Sequence, residues 1–421
     1  MKNYTLLLLS FLVFSSCERF DDSIPEGSTL EVPILISEIV SPTEVLLTWD
    51  SNQICAGFCP SIVPASYYEI WAKSLTSSGD YKLGESPAGA TTYQVSGLEP
   101  GVEQQFFVIA KRANVRNYTN RVMVVTNALP TVEDIFQKER FNYITHPQVS
   151  PDGTEVAYSL SQAGAAGSSQ NVFLYDLDSK SERLIWENGQ YPSWSVTGDK
   201  LVFVSEKANA SVISEFAFAS GTVTDVMSDS YKSHFPKYAE EDESLVYFLD
   251  SLEAGESGIM SLGLAKPDTI FLRAVEPDEH AIARVLGMDY STESNSVAYS
   301  TTAPKENESG FSYVILGFDL ENSGSLIDYE VSDWNDTNPS FSTSDMDLLA
   351  FVSDRSGLPQ VWVRNTKTEQ LIQVTDFQGG EWINIGIVGL SWSGEKLFFN
   401  VMDVNGTTTL VRVDLSTLLS D

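Results

Sequence analysis

"YPSWSVTGDKLVFVS", residues 191–205, decides the fold of this chain. An apolar strand runs into a turn built on Gly198, and a second strand then alternates Leu201, Phe203 and Ser205. Alternation with a period of two marks a strand with one face buried, and a glycine between two such runs supplies the turn. The same grammar returns five more times: "PQVSPDGTEVAYSL" from Pro147, "PKYAEEDESLVYFL" from Pro236, "MDYSTESNSVAYST" from Met288, "PSFSTSDMDLLAFVS" from Pro339 and "VGLSWSGEKLFFNV" from Val388. Turn positions Gly153, Gly198, Asp242, Ser294, Asp345 and Gly394 are separated by 45, 44, 52, 51 and 49 residues, a spacing expected of propeller blades. Every copy continues into a third strand, from "NVFLYDLDS" at 171 to "LVRVDLST" at 410. A single blade leaves both faces uncovered, so six copies predict a closed ring of six blades.

The sixth copy has no clear fourth strand before Asp421, while "IFQKERFNYIT" at 135–145 lies just ahead of the first. The segment near Phe136 to Tyr143 is therefore expected to close the ring by pairing with the last blade. The repeats resemble those of TolB-like six-bladed propellers, in which Ser-Pro-Asp-Gly precedes a strand; only the first copy, at Ser150 to Gly153, has it intact. The resemblance covers residues 135–421 and implies an envelope protein or peptide as partner.

Upstream, residues 32–127 alternate apolar and polar positions in short runs: "EVLLTW" at 44, "YYEIWAKS" at 67, "TTYQVSGL" at 91, "QQFFVIAKR" at 104 and "RVMVVTN" at 121. Short strands separated by turn residues read as a β-sandwich. Through Trp49 and "GLEPGVEQQFFVIA" at 97–110 the segment resembles a fibronectin type III domain, with Gln104 where that family carries its corner tyrosine. The resemblance implies a spacer or docking module without a catalytic set. Residues 128–134 are expected to be a linker. The fold class is thus all-β, a sandwich followed by a propeller.

The chain begins with Lys2 and an apolar run from Leu6 to Phe14, followed by Ser15, Ser16 and Cys17. That run is shorter than the ~20 residues needed to cross a bilayer and reads as an export signal. Its end resembles a bacterial lipobox, which implies residues 1–17 as a lipoprotein signal, lipidation of Cys17, and residues 18–31 as an acidic tether at the outer membrane, surface-exposed or facing the periplasm. Net charge is −33, with 58 acidic and 25 basic residues. Such a balance argues against nucleic acid or anionic lipid as a partner, since both are bound mainly through Lys and Arg. Membrane attachment is expected through the lipid alone. Cys55 and Cys59 are expected to form a disulfide in the oxidising compartment, with a thiol metal site as the weaker alternative.

No HExxH, P-loop, Gly-x-Ser-x-Gly or EF-hand loop occurs. Propellers of this kind also precede hydrolase domains in prolyl-peptidase-like enzymes, an arrangement not expected here because the sixth copy runs to Asp421. Three histidines fall in segments leading into innermost strands: His146, His234 and His280. The matching segments of other blades carry Tyr191, Trp334, Asp336, Glu381 and Trp382. Such segments gather at one mouth of a propeller channel, where imidazoles, carboxylates and aromatic faces form a candidate ligand site. Trp194, Tyr238, Tyr290 and Phe341 share one repeat position and are expected to be core. The reading is a binding protein for an envelope protein, peptide or glycan, with no cofactor called for. The acidic excess is compatible with a divalent cation. The rival is a propeller carbohydrate lyase using channel histidines, which requires a general base within reach of a bound sugar.

Overall fold

The computed structural model describes residues 24–26, 28–50, 61–73, 79–140, 142–162, 170–207, 210–228, 232–239, 244–250, 257–265, 269–275, 285–305, 310–377, 387–403 and 405–419. Cys17, Cys55, Cys59, His280, Glu381 and Trp382 lie outside these residues, and with them the expected lipid anchor and disulfide. Helix among the described residues is confined to one 3-10 turn at Leu320–Asn322.

The N-terminal part is built from two antiparallel sheets and a parallel pair, Ser28–Leu30 with Ser61–Val63. Ile34–Ser41, Glu44–Asp50 and Thr92–Ser96 form one. Val122–Val125, Glu103–Arg112, Tyr67–Lys73 and Asp80–Pro87 lie side by side in the other, and Val115–Tyr118 pairs with the far half of Glu103–Arg112. The period-two pattern decides the inner faces: Val45, Leu47 and Trp49 meet Tyr68, Ile70 and Ala72 together with Phe106, Val108 and Ala110 in one core. Inside it Trp49 and Tyr68 lie with ring centroids 5.3 Å apart.

The remainder forms six four-stranded antiparallel sheets. Five follow chain order, their innermost strands being Asn142–Val149, Gly189–Trp194, Lys232–Ala239, Met288–Ser291 and Asp336–Phe341. The sixth takes Leu390–Ser393, Lys396–Met402 and Thr408–Asp414 from the C-terminal end and its outermost strand, Val132–Lys138, from ahead of blade 1. The protein carries a six-bladed β-propeller closed by strand exchange. The closing strand starts inside the stretch expected as linker, at Val132, and ends at Lys138. A turn in which Asn142 N–H donates to the Glu139 carbonyl reverses the chain, so Asn142 and Tyr143 pair instead with Gln162 and Ser161 of blade 1. Phe136 locks the closure, stacking on Tyr175 of blade 1 at 4.2 Å.

Apolar side chains pack between successive blades. Trp362, Phe351 and Leu349 of blade 5 meet Ala298 and Ile315 of blade 4, and Met123 and Val125 of the sandwich enter the same cluster. The sandwich is docked on blade 5. Met123 N–H donates to the Arg355 carbonyl at 2.6 Å, and the Ser37 backbone and hydroxyl both donate to the Ser356 carbonyl, at 3.1 and 2.8 Å. Ile39 N–H reaches Asp376 Oδ2 at 2.6 Å. Gly357, with φ +99°, admits this contact: a Cβ there would lie 2.7 Å from the Leu35 carbonyl oxygen and 2.8 Å from Ile36 Cα.

Candidate functional site

Four innermost strands carry the same irregularity where they cross the ring axis. His146, Tyr191, Phe235 and Asn338 have φ between 51° and 56°, and each precedes a proline: Pro147, Pro192, Pro236 and Pro339. The ladder register shifts at each of these pairs. A non-glycine residue at positive φ is strained, and interblade bonds hold it: His146 N–H donates to the Val388 carbonyl at 2.6 Å and Asn338 N–H to the Leu286 carbonyl at 3.0 Å. Blades 4 and 6 have Gly287 and Gly389 at the corresponding place, where a Cβ would lie 2.7 Å from Asn338 Cα and His146 Cα respectively. The four bulges and the two glycines close the axis to a waist of about 30 Å³, room for little more than a water molecule.

Three of the expected site residues line or flank this waist. The His146 and Tyr191 rings meet edge-on at 4.5 Å, Phe235 lies 4.6 Å from Tyr191, and His234 Nδ1 is 3.2 Å from the Tyr191 hydroxyl. Loss of solvation holds both imidazoles neutral, pushing His146 down to about 3, with help from Lys237 and His234 charge, and His234 to about 4 against the pull of Asp250. Burial also pushes the Tyr191 phenol up to about 12. His146 Nδ1 is buried without a hydrogen-bond partner. The trio forms a half-buried aromatic plug, and among the described residues no three His, Cys, Asp or Glu side chains converge as metal ligands.

Trp334 and Asp336 sit elsewhere, at the seam between blade 5 and the sandwich. Asp336 is fully buried, with Oδ1 2.7 Å from Arg355 Nη2 and Oδ2 accepting from the Ser332 hydroxyl at 2.5 Å. Arg355, also fully buried, reaches Glu330 Oε1 at 3.0 Å, and Arg364 Nη1 completes the network on Glu330 Oε2 at 2.7 Å. Burial raises the Asp336 carboxyl above the usual carboxylate range while Arg355 pulls it down. The Arg355 guanidinium lies 5.6, 5.0 and 5.3 Å from the rings of Trp334, Phe351 and Trp362.

On the side of the waist where the innermost strands turn back, the axis widens into a funnel of about 370 Å³ to which all six blades contribute. Lys237 Nζ is 3.0 Å from Asp289 Oδ1 and donates to Gln148 Oε1 at 2.8 Å; Asp289 Oδ2 accepts from Phe341 N–H at 2.9 Å. Trp194 Nε1 donates to the Gln148 carbonyl and Trp392 Nε1 to the Ser340 carbonyl, at 2.9 and 3.1 Å, tying neighbouring blades together. Tyr238 and Phe341 are core, as expected of their repeat position. Trp194, stacked on Phe218 at 5.2 Å, and Tyr290 are only half-buried and wall the funnel as well.

The sequence matches no family model and no curated relative. Its architecture is similar to solved propeller structures. TolB from Acinetobacter baumannii is 15% identical over 64% of this chain, with a TM-score of 0.43, and the chain spans 59% of that protein's length. A putative TolB from Agrobacterium tumefaciens is 17% identical over 59% of this chain and 92% of its own, with a TM-score of 0.44. Oligogalacturonate lyase from Vibrio parahaemolyticus is 13% identical over 69% of this chain and 95% of its own, also at 0.44.

The sequence carries a signal for the waist, namely the recurrence of a residue plus proline at 146, 191, 235 and 338. It signals position without conformation, because a residue before proline ordinarily avoids the helical region and extends. Nothing local announces the Arg355 network: its members lie 34 residues apart or fewer in sequence, but only blade packing and the docked sandwich bury them together.

Proposed function

We propose that this protein is a lipid-anchored envelope recognition protein whose propeller receives an extended segment or exposed loop of a protein partner in its axial funnel. The observation that carries this reading is the blind shape of the funnel: six blades wall it, and a water-sized waist ends it. Concave sites with an apolar lining and a few convergent polar groups are the usual form of a binding pocket. Here half-buried Trp194 and Tyr290 supply aromatic surface, serine and threonine hydroxyls supply hydrogen bonds, and the Lys237–Asp289 pair is charge-neutral. The N-terminal sandwich is read as fibronectin type III-like, since a three-stranded sheet faces a five-stranded one with Trp49 in the core. Its hydrogen bonds to blade 5 make it a fixed cap rather than a swinging spacer. Anchoring is read from the lipobox-like Cys17 and is tested by fatty-acid labelling of wild type against Cys17→Ala.

A photo-crosslinking amino acid placed at Thr292 or Thr343, both exposed on the funnel lip, is expected to yield a discrete protein adduct in intact cells. The same group at Leu184, exposed on the outside of blade 1, is expected to yield none. Equal adducts at all three positions, or none at the lip, would overturn the funnel reading. The lyase alternative draws on neutral imidazoles at the axis. Binding is favoured over it because desolvation lowers the basicity of His146 and His234, which makes both weak general bases. Release of unsaturated product from polygalacturonate, lost in His234→Ala, would reverse that preference.

A further inference from the structure

Between the sandwich and blade 5 lies a cleft of about 710 Å³, within the ~300–1,000 Å³ range of small-ligand sites. Lys73, Glu103 and Gln105 form part of its sandwich wall, and Trp334, Arg355 and Arg364 part of its propeller wall. Lys73 and Gln105 are direct cross-strand neighbours, so their side chains emerge together.

Several charges inside the cleft are paired or hydrogen-bonded. Arg121 Nη2 lies 2.9 Å from Asp80 Oδ2, Arg364 Nη1 2.7 Å from Glu330 Oε2, and Asn335 Nδ2 donates to Asp354 Oδ2 at 2.7 Å. Five basic and six acidic side chains line the space, so neither a polyanion nor a polycation meets an uncompensated field. Polar capacity is nonetheless left over. Arg355 Nη1, on a fully buried side chain, makes no hydrogen bond. Burial raises the Glu103 carboxyl, with Arg355 opposing, so this group gains from a donor that restores its lost solvation.

A ligand rich in hydroxyls fits these facts. Each hydroxyl donates and accepts at once, and is met best where a carboxylate stands beside a cation or an amide. The half-buried Trp334 ring adds an apolar wall for the C–H surface of a sugar. We infer that the cleft between sandwich and propeller is a binding site for a neutral oligosaccharide, held by Trp334 on one side and by Lys73, Glu103 and Gln105 on the other. The site is separate from the axial funnel and stands or falls without it. Because its walls belong to two domains, occupation couples to their docking, and saturating sugar raises the thermal midpoint.

The test is calorimetric titration of the mature chain with three neutral probes, maltohexaose, cellohexaose and chitohexaose, beside an acidic one, oligogalacturonate, and a cationic one, hexalysine. At least one neutral probe is expected to bind and to raise the thermal midpoint. Trp334→Ala is expected to weaken it about tenfold or more, the scale of one stacked or hydrogen-bonded group. Since Trp334 also packs near Arg355, Lys73→Met, at an exposed position outside the sandwich core, is a second variant expected to weaken binding while leaving unfolding unchanged. The funnel variant Thr343→Trp is expected to bind sugar like wild type. The proposal is overturned if no neutral probe binds, if only the acidic or cationic probe does, or if both cleft variants bind the neutral probe normally.

Discussion

Replacing Arg355 with methionine tests whether charge holds the buried network that joins Glu330, at the end of the outermost strand of blade 4, to Asp336 of blade 5 beside the sandwich. The guanidinium is fully buried, 3.0 Å from Glu330 and 2.7 Å from Asp336, with Nε donating to the Ser353 hydroxyl at 2.8 Å. Removing one partner of such a network costs about 3–5 kcal/mol, because the remaining carboxylates keep their desolvation without their counter-charge. For a domain above ~250 residues each kcal/mol moves the midpoint by about 2 °C, so the expected fall is about 6–10 °C. The loss depends on pH. Without Arg355, the Asp336 carboxyl rises further above its unfolded value, so the folded state holds more protons than the unfolded one. The variant's deficit is therefore smallest in mild acid and grows as pH rises toward 8. Scanning calorimetry near pH 5 and pH 8 reads both quantities. The double variant Arg355→Met, Asp336→Asn, with one buried charge fewer, is expected to recover part of the loss. A single variant within about 1 kcal/mol of wild type near pH 8, or a double variant no better than the single, would refute the reasoning.

Gly389→Ala is expected to cost about 2 kcal/mol or more, since its φ is +104° and a Cβ would lie 2.7 Å from His146 Cα; Gly394→Ala, at φ +57° with nothing within 4 Å, is expected to cost less, and urea unfolding showing equal losses would count against a tight waist. His234, held neutral down to about 4, makes stability fall as pH drops below its unfolded pKa of ~6.5, by about 2 kcal/mol at pH 5. His234→Phe is expected to flatten that acid slope, and an NMR titration of the ring near its usual value would contradict its desolvation. Phe136→Ala, which removes the stack on Tyr175, is expected to cost about 2 kcal/mol, below the ~3–5 of a fully buried phenylalanine because the ring is half-buried. Unchanged unfolding would show that the closing strand contributes little to the ring.

What the sequence alone determined is the repeating part. Each blade's first two strands and the turn between them are specified by neighbours within some fifteen residues, as Leu201 and Phe203 after Gly198 show, and six such copies at one period admit few closed arrangements. The pairing of the segment around Phe136 with the last blade was legible too, because an incomplete blade needs an edge partner. Tertiary structure alone decided where the remaining side chains face. His146 and Tyr191 precede prolines and would extend in isolation; interblade bonds hold them at positive φ and turn them into a plug. Trp334 and Asp336 come from the same kind of segment, yet the sandwich docked on blade 5 draws them into a buried ion network and a cleft wall. Their fate depends on Arg355 and on residues of another domain, such as Met123 and Glu103, more than 200 positions away. Periodicity is a local property of the chain, whereas burial, charge pairing and the shape of a cleft belong to surfaces that exist only once the blades close and the domains meet.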